Sequence, residues 1–584
     1  MVLILLDDSG NNKEDGGRKM NVEALKIALQ LFGGLALFIY GMNFMSEGLQ
    51  KAAGEKMKSI LAMLTRNVFV GVLAGAVATA VLQSSGAVTV MVIGFVAANL
   101  MTLRQAISII MGANIGTCVT AQLVAFQIGD FSWAFVIVGF IMYFFVSKKE
   151  KIVDFGQAIF AFGILFTGLN LMSDAMKPLA QSAVFADLML KVADMPILGI
   201  ITGAVMTAIV QSSSASIAVL QNLASTAGPD GVSSLIGLTG AIPILFGTNI
   251  GSTTTALLAS IGGSINAKRT ALSHMIFNVV GTLIFIWFTP FIAKFVTVIS
   301  PSGSELDIIS RQIANAHLTF NVATTLLFLP LIGVLATVVT KIIPGKDEER
   351  DPMEPVYLDY NVLEQPFAAI HLAVQELSRM AEVTAQMIVE TKKAFLGNDK
   401  QSADKVMEYE MQVNNLRDLL TEYLSSVLSA DKVTEYQAKE ISGLLHVVSD
   451  VEHIGDNCKN IAEFSMEKIK KGYEFSDTAC AEIYECFDHG SKMVNDSIEA
   501  LKNGNIELAE KVKEQEQALN RMEDHLRIKH MERLNNRQCS PEFTVIYTDV
   551  IHNIEKIGDS CDNIANVVLD GDKHKKHEEE AEEV

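Results

Sequence analysis

Val81-Leu82-Gln83-Ser84-Ser85-Gly86-Ala87 is echoed 128 positions later by Ile209-Val210-Gln211-Ser212-Ser213-Ser214-Ala215. A second signature follows each copy: Gly112-Ala113-Asn114-Ile115-Gly116-Thr117 and, 135 positions on, Gly247-Thr248-Asn249-Ile250-Gly251-Ser252. A third precedes them, with Gly41-Met42-Asn43-Phe44-Met45-Ser46 matching Gly168-Leu169-Asn170-Leu171-Met172-Ser173 at an offset of 127. Three markers in one order read as a duplication. The first two lie in runs without a charged residue, 67–103, 105–129, 195–229 and 231–267. Gln, Ser, Thr and Asn at mid-depth in lipid are costly unless they are satisfied or bind something. The duplication therefore predicts a polar site between two membrane-embedded halves.

Working outward, the 584 residues and mean hydropathy of +0.32 exceed one ordinary soluble domain. Residues 1–343 carry 19 Lys+Arg against 16 Asp+Glu, whereas the rest of the chain has a net charge of −23. The first part reads as a membrane domain and the second as a soluble acidic one, which repels nucleic acid and anionic lipid and attracts cations. The expected boundaries are a tail at 1–24, a membrane domain at 25–342 (repeats about 25–147 and 153–342), a linker at 343–360, a soluble domain at 361–570 and a charged tail at 571–584. Val2 to Leu6 is too short, and too soon followed by Asp7-Asp8, for a signal peptide. Six cysteines without CxxC spacing read as reduced thiols, neither a disulfide frame nor a zinc site.

Full spans are expected near 25–47, 104–126, 131–147, 153–173, 232–260, 270–291 and 313–341, with 67–98 and 195–226 as hairpins. Inner loops then carry Lys51, Lys56, Lys58, Arg66, Arg104, Lys148, Lys149, Lys151, Lys268, Arg269, Lys341 and Lys346, against Lys177, Lys191, Lys294 and Arg311 outside. This bias predicts a multi-pass cell-membrane protein with its C-terminal domain in the cytoplasm. Three spans in the first half turn the second over, which gives an inverted repeat with its site at the repeat interface. The hairpins follow from length. Residues 67–103 as one helix would reach about 55 Å, well beyond a hydrocarbon core of about 30 Å, whereas a break at Gln83-Ser84-Ser85 leaves two short arms. The alternative is one tilted span with its Ser and Gln bonded inside a bundle.

A hairpin tip exposes the N-terminus of its second arm, where free N–H groups and the helix dipole favour an anion. Ser84, Ser85, Ser212, Ser213 and Ser214 add hydroxyl donors, and Gln83 and Gln211 add amides; such donors suit a tetrahedral oxyanion. The charge-free runs supply no Lys or Arg, so the positive charge must arrive with the substrate. A small hard cation fits, with oxygens from Asn114, Thr117, Thr120, Thr248, Asn249, Ser252 and Thr253, then Thr254 and Thr255. Each ion alone would leave an uncompensated charge in a low-dielectric site, which couples their binding.

The doubled QSS motif, the GANIGT and FGTNIGSTTTA segments and the inverted halves resemble the type II sodium-phosphate cotransporter family over about residues 25–342. His274-Met275-Ile276-Phe277-Asn278-Val279 and His317-Leu318-Thr319-Phe320-Asn321-Val322 share a further HxxFNV pattern. The resemblance implies inorganic phosphate as substrate at Gln83, Ser84, Ser85, Gln211, Ser212, Ser213 and Ser214, and Na+ as the coupling ion. Gly86, where the second copy has Ser214, leaves the halves unequal. His274 and His317 read first as hydrogen-bonded packing residues, with a proton relay as the rarer use. A chloride channel or other pore accounts less well for the neutral oxygen clusters.

The acidic domain is duplicated too. Glu452-His453-Ile454-Gly455-Asp456 with Asn460 matches Glu555-Lys556-Ile557-Gly558-Asp559 with Asn563 at an offset of 103, and breaks at Gly397-Asn398 and Gly504-Asn505 predict two three-helix units. The spacing suggests a divalent metal on Glu452, Asp456, Asn460, Glu555, Asp559 and Asn563, or else a solvated acidic face neutralised by Lys459 or Lys556. These paired segments resemble PhoU-type domains, which implies a regulator of phosphate uptake, capacity for metal ions and cytoplasmic phosphate-signalling partners. His453 and Lys556 stand where that pattern often has Arg, which leaves the metal's identity open.

The expected fold is all-α: a polytopic membrane protein with inverted repeats and re-entrant hairpins, followed by a double three-helix bundle. No GxSxG, P-loop or HExxH pattern occurs, so the expectation is a transporter in the lipid bilayer, not an enzyme. The competing readings are a membrane-anchored phosphate-responsive regulator and the same fold carrying another oxyanion such as sulfate. A homo-oligomer fits either reading.

Overall fold

The computed structural model describes residues 15–53, 67–126, 131–146, 150–345, 353–430 and 433–583, and divides into two units, Met1–Asp347 and Glu348–Val584. The expected signal-free start, the inner-loop cations Lys56, Lys58, Arg66, Lys148, Lys149 and Lys346, and linker residues 346–352 lie outside the described residues. Among those described, the structure is helical apart from one isolated bridge between Ala227 and Ser234.

The first unit begins with α1 (Asp15–Ala53) and a hairpin of α2 (Val68–Leu82) and α3 (Ser85–Ala97), followed by α4 (Leu103–Val124) and α5 (Ser132–Phe145). The second half repeats the plan with α6 (Glu150–Ala180), α7 (Ala183–Asp194), the hairpin α8 (Pro196–Val210) and α9 (Ser213–Ala224), and α10 (Gly237–Ala259). Then α11 (Ile265–Phe285) tightens through residues 286–288 into α12 (Thr289–Ile299), and α13 (Glu305–Phe328) through 329–331 into α14 (Ile332–Ile342). Among the described residues, six helices are long and apolar enough to cross a membrane, and the exposed Trp287 (83%) and Phe69 (73%) show an apolar outer surface suited to lipid.

The span expected at 131–147 is the apolar helix Ser132–Phe145, about 21 Å long. Two other expectations need correction. The stretch after 173 is expected as an outside loop carrying Lys177 and Lys191; instead α6 runs on to Ala180, and α7 follows at a 107° bend to α8. The expected spans at 270–291 and 313–341 lie inside the longer segments Ile265–Ile299 and Glu305–Ile342.

Close backbone contact explains the glycines of the second signature. A Cβ on Gly112 would lie 1.9 Å from the Val72 carbonyl oxygen, and one on Gly247 2.0 Å from that of Ile200. Each hairpin's first arm thus lies backbone to backbone on the helix that follows the hairpin, α2 on α4 and α8 on α10. The flanking helices α11 and α13 then cover α4 and α10.

The second unit is two three-helix bundles: α15 (Pro366–Gly397), α16 (Lys400–Leu428) and α17 (Glu435–Lys471), then α18 (Asp477–Asn503), α19 (Ile506–Asn535) and α20 (Thr544–Glu583). Left-handed Asn398 (φ 52°) and Gly504 (φ 60°) end the first helix of each bundle, where the sequence signals lay. The bundles meet mainly through α17 and α20.

Candidate functional site

The two QSS motifs build the same backbone device. Gln83 (φ 51°) and Gln211 (φ 55°) are left-handed residues that terminate α2 and α8. The next residue caps the second arm: Ser84 Oγ accepts the Ala87 N–H at 3.1 Å, and Ser212 Oγ the Ala215 N–H at 3.2 Å. A capping hydroxyl accepts from the backbone and keeps its own hydrogen available to a ligand oxygen. The first N–H groups of α3 and α9 add unpaired donors at the positive end of each dipole.

One turn of α1 reaches both breaks. Ser46 Oγ donates to the Leu82 carbonyl at 2.5 Å, and Ser212 Oγ lies 4.0 Å from Met42 Sδ. Met42 and Ser46 are i and i+4, roughly 6 Å apart on one helix face. The tips of the two hairpins, 128 residues apart in sequence, therefore converge. The halves cross over at Gly86, where a Cβ would stand 3.4 Å from Thr255 Cγ2 of α10.

The surroundings of the two breaks differ. Gln83 is buried, its Oε1 accepting from Thr120 Oγ1 at 2.7 Å, whereas Gln211 is exposed. Ser213 and Ser214 are buried, and Ser84, Ser85 and Ser212 are half-buried.

The remaining oxygen candidates separate into two kinds. Thr117, Thr248, Ser252 and Thr253 donate their hydroxyl hydrogens to the carbonyls of Ala113, Leu245, Asn249 and Ile250, so their lone pairs face outward as acceptors. Asn114 and Asn249 are instead struts. Asn114 Nδ2 donates to Asn278 Oδ1 at 2.8 Å while its Oδ1 faces His274 Nε2 at 3.3 Å. Asn249 repeats this with Asn321 (2.8 Å) and His317 (3.2 Å). A cation at either Asn would have to displace a buried hydrogen bond. The sequence reading missed Asn278, Asn321, Met42 and Ser46; their signals were the HxxFNV pair and the duplicated GxNxMS segment.

In the second unit the two metal candidates diverge. Glu452 is held by Arg417 Nη1 at 2.6 Å, and the nearby Lys459 pairs with Glu410 at 2.8 Å. The second bundle has Glu523 where the repeat places Arg417, and there Glu523, His552 and Glu555 bring ligand atoms within 4.8 Å of one another. Burial, then the charges of Asp559 and Glu523, push the Glu555 carboxyl above its ordinary range. Lys556 Nζ is 2.7 Å from Asp559 and 3.4 Å from Glu555. Asn460 and Asn563 are not part of either cluster: Asn460 Nδ2 donates to Asn553 at 3.0 Å and Asn563 Nδ2 to Asp450 at 2.9 Å, symmetry-related bonds between α17 and α20. Glu523 and His552 escaped the sequence reading because they lie outside the ExxxD motif. All six cysteines are free.

The sequence profile of the Na+/Pi-cotransporter family matches residues 37–174 and 168–300, one copy over each half, and that of the PhoU domain matches 377–465 and 483–568. The chain belongs to the Na+/Pi-cotransporter family. It joins that family's two membrane repeats to two PhoU repeats. YqeW of Bacillus subtilis is 32% identical over 271 residues, which cover 46% of this chain and 85% of YqeW. YjbB of Salmonella typhimurium, whose name assigns it provisionally to inorganic phosphate export, is 23% identical over 93% of this chain and 97% of its own length. The human sodium-dependent phosphate transport protein 2B is 36% identical over 103 residues, 17% of this chain and 15% of that protein.

Proposed function

We propose that this Na+/Pi-cotransporter family member carries inorganic phosphate across the cell membrane coupled to Na+, and that its PhoU unit, on the cytoplasmic side by the charge bias of the loops, regulates the flux. The observation that carries the reading is the convergence of the two capped breaks on one turn of α1, at Met42 and Ser46.

The chemistry follows from which way each hydroxyl points its hydrogen. The capping hydroxyls of Ser84 and Ser212, with Ser85, Ser213, Ser214 and the first N–H groups of α3 and α9, are donors to phosphate oxygens. The back-bonded Thr117, Thr248, Ser252 and Thr253 present lone pairs, which suit Na+. With no Lys or Arg in the charge-free runs, phosphate enters stably only with the cation, and Na+ stably only with the anion. Exchange between two faces then resides in the unequal burial of the pseudo-equivalent Gln83 and Gln211, a site formed by two like halves in unlike states.

In the PhoU unit, Glu523, His552 and Glu555 fit a divalent cation, since their ligand atoms lie within 4.8 Å of one another and the buried Glu555 Oε2 has only the long ion pairs to Lys556 (3.4 Å) and His552 (3.6 Å). Such an ion would neutralise the paired carboxylates and tie α19 to α20. In the first bundle the Arg417 guanidinium supplies that charge from within the chain.

Uptake of labelled phosphate into proteoliposomes, with and without a sodium gradient, tests the reading. Gradient-driven accumulation is expected; phosphate flux indifferent to sodium would remove the coupling, and no flux from correctly inserted protein would leave the regulator as the better account.

A further inference from the structure

Two threonines outside the predicted set show a hydroxyl with no partner in the same place of each repeat. Thr79 and Thr207 lie four residues before Gln83 and Gln211, are 1% and 0% exposed, and their Oγ1 atoms find no hydrogen-bond partner among the described residues. A buried helical threonine ordinarily resolves this alone by donating to a carbonyl one turn back, as Thr117 and Thr253 do. Thr79 and Thr207 decline that bond. An unsatisfied hydroxyl in the low-dielectric interior is destabilising, and duplicated chance is a poor explanation for it.

The packing around them is reproduced closely. A Cβ on Gly116 would stand 2.7 Å from Thr79 Cβ and 2.4 Å from the Ala76 carbonyl; one on Gly251 would stand 2.7 Å from Thr207 Cβ and 2.4 Å from the Ala204 carbonyl. One turn further along the same seam, Gln83 Oε1 receives Thr120 Oγ1. On the crossing of α2 and α4, Thr79 thus lies one turn before Gln83, whose Oε1 meets Thr120 Oγ1, and Thr207 holds the same position on α8, one turn before Gln211. The other buried unpartnered hydroxyls do not come in pairs. Thr282 corresponds to Thr325, which bonds the Met111 carbonyl, and Ser132 has no counterpart in the repeat.

We infer that Thr79 and Thr207 are ligands for the coupling cation, one in each repeat, each offering a neutral hydroxyl oxygen at the foot of a hairpin break. This rests on the sodium-coupled reading and deepens it. The cation class follows from the donors: neutral hydroxyl and amide oxygens without a carboxylate suit a small hard monovalent ion. A position just below each capping serine also places positive charge beside the anion, which neither half could otherwise compensate.

The valine variants separate this from simple packing, because valine keeps threonine's shape and removes only the hydroxyl. If the hydroxyls are merely buried, Thr79→Val and Thr207→Val keep wild-type transport and gain stability. If they are ligands, the full-length variants melt at or above wild type in choline chloride, lose most of the melting rise that NaCl produces in wild type, and need at least tenfold more Na+ for half-maximal phosphate uptake. Thr79→Ser and Thr207→Ser, which keep the oxygen, should restore the response. A wild-type sodium half-saturation in both valine variants overturns the assignment while leaving sodium coupling intact. Wild-type protein that shows no sodium dependence in either uptake or melting overturns the coupling reading and this inference with it. Should a valine variant fail to insert, the smaller Thr→Ala variants pose the same question of the hydroxyl.

Discussion

Arg417 Nη1 lies 2.6 Å from Glu452 Oε1, and the PhoU repeat puts Glu523 facing Glu555 in the corresponding place. The first bundle sets a guanidinium against its buried glutamate, whereas the second sets a carboxylate there, with His552 beside the pair and Lys556 shared between Glu555 and Asp559. The duplicated ExxxD motif is therefore asymmetric in what it needs.

The first prediction concerns that asymmetry. Mn²⁺ or another divalent cation should raise the melting temperature of the full chain through the second bundle, by about 2.7 kcal/mol of stabilisation at a hundredfold excess over Kd. Glu523→Gln should abolish the response and Glu452→Gln should leave it. Loss in both, or in neither, would refute the assignment.

Acidity gives a second. Burial and its acidic neighbours raise the Glu555 pKa, so its charged form is the disfavoured one in the folded protein. Without metal, its contribution to stability falls as pH rises from the unfolded carboxylate value of about 4.3 through the raised value. Glu555→Gln should thus melt higher than wild type at pH 7.5 in chelator, with the advantage vanishing near pH 4, and should show no gain from Mn²⁺. A variant less stable than wild type at pH 7.5 in chelator would contradict it.

For phosphate, the test must spare the helix cap. Glycine at an N-cap costs only a few tenths of a kcal/mol, whereas the lost hydrogen bond to a charged ligand is about 1.5–3 kcal/mol. Ser84→Gly and Ser212→Gly should raise the phosphate KM by roughly 10- to 100-fold with insertion and melting little changed. Unaltered KM in both would remove the capping serines from the site.

What was legible in the sequence, and what was not, divides along the same lines. The breaks at Gln83 and Gln211 could be read because an uncharged run too long for one span carries its polar residues at the centre. The roles of Asn114 and Asn249 could not, since their partners Asn278 and Asn321 lie 164 and 72 residues away and only the fold brings them together. Counting in fours puts Asn460 on the metal face with Glu452 and Asp456. Two such steps rotate a residue about 80° around a helix, which carries Asn460 from the side of Glu452 to the seam with α20. The α7 helix was hidden because amphipathic surface helices share their charge content with loops.

Topology is tested by labelling. Cysteines at Ser225 and Ser302 should react with an impermeant reagent added outside, and those at Val146 and Ile261 only after permeabilisation. Reaction of all four from one side would exclude opposed halves.

The last prediction concerns how the PhoU unit is attached. Glu376, fully buried, accepts the backbone N–H groups of Val356 at 2.8 Å and Tyr357 at 2.6 Å, and Arg379 Nε at 2.6 Å; Asn415 Nδ2 holds the Met353 carbonyl at 2.5 Å. The chain is thereby fixed to the first bundle almost from the point where the second unit begins, and only about a dozen residues separate Ile342 at the end of α14 from the clamped amides. So short a tether reaches at most about 45 Å, and keeps the local concentration of the unit near the transporter high. Deleting residues 353–584 should leave sodium-dependent uptake in place while altering its rate or its response to internal phosphate. Glu376→Ala should release the clamped segment, seen as faster amide exchange at Val356 and Tyr357, and shift uptake part of the way towards the truncated protein. Complete loss of uptake from an inserted truncation would make the unit part of the transport machinery. Uptake in the truncation identical in rate and response to the full chain would remove the case for a regulator, and faster exchange in Glu376→Ala with unchanged uptake would show that the clamp serves the bundle alone.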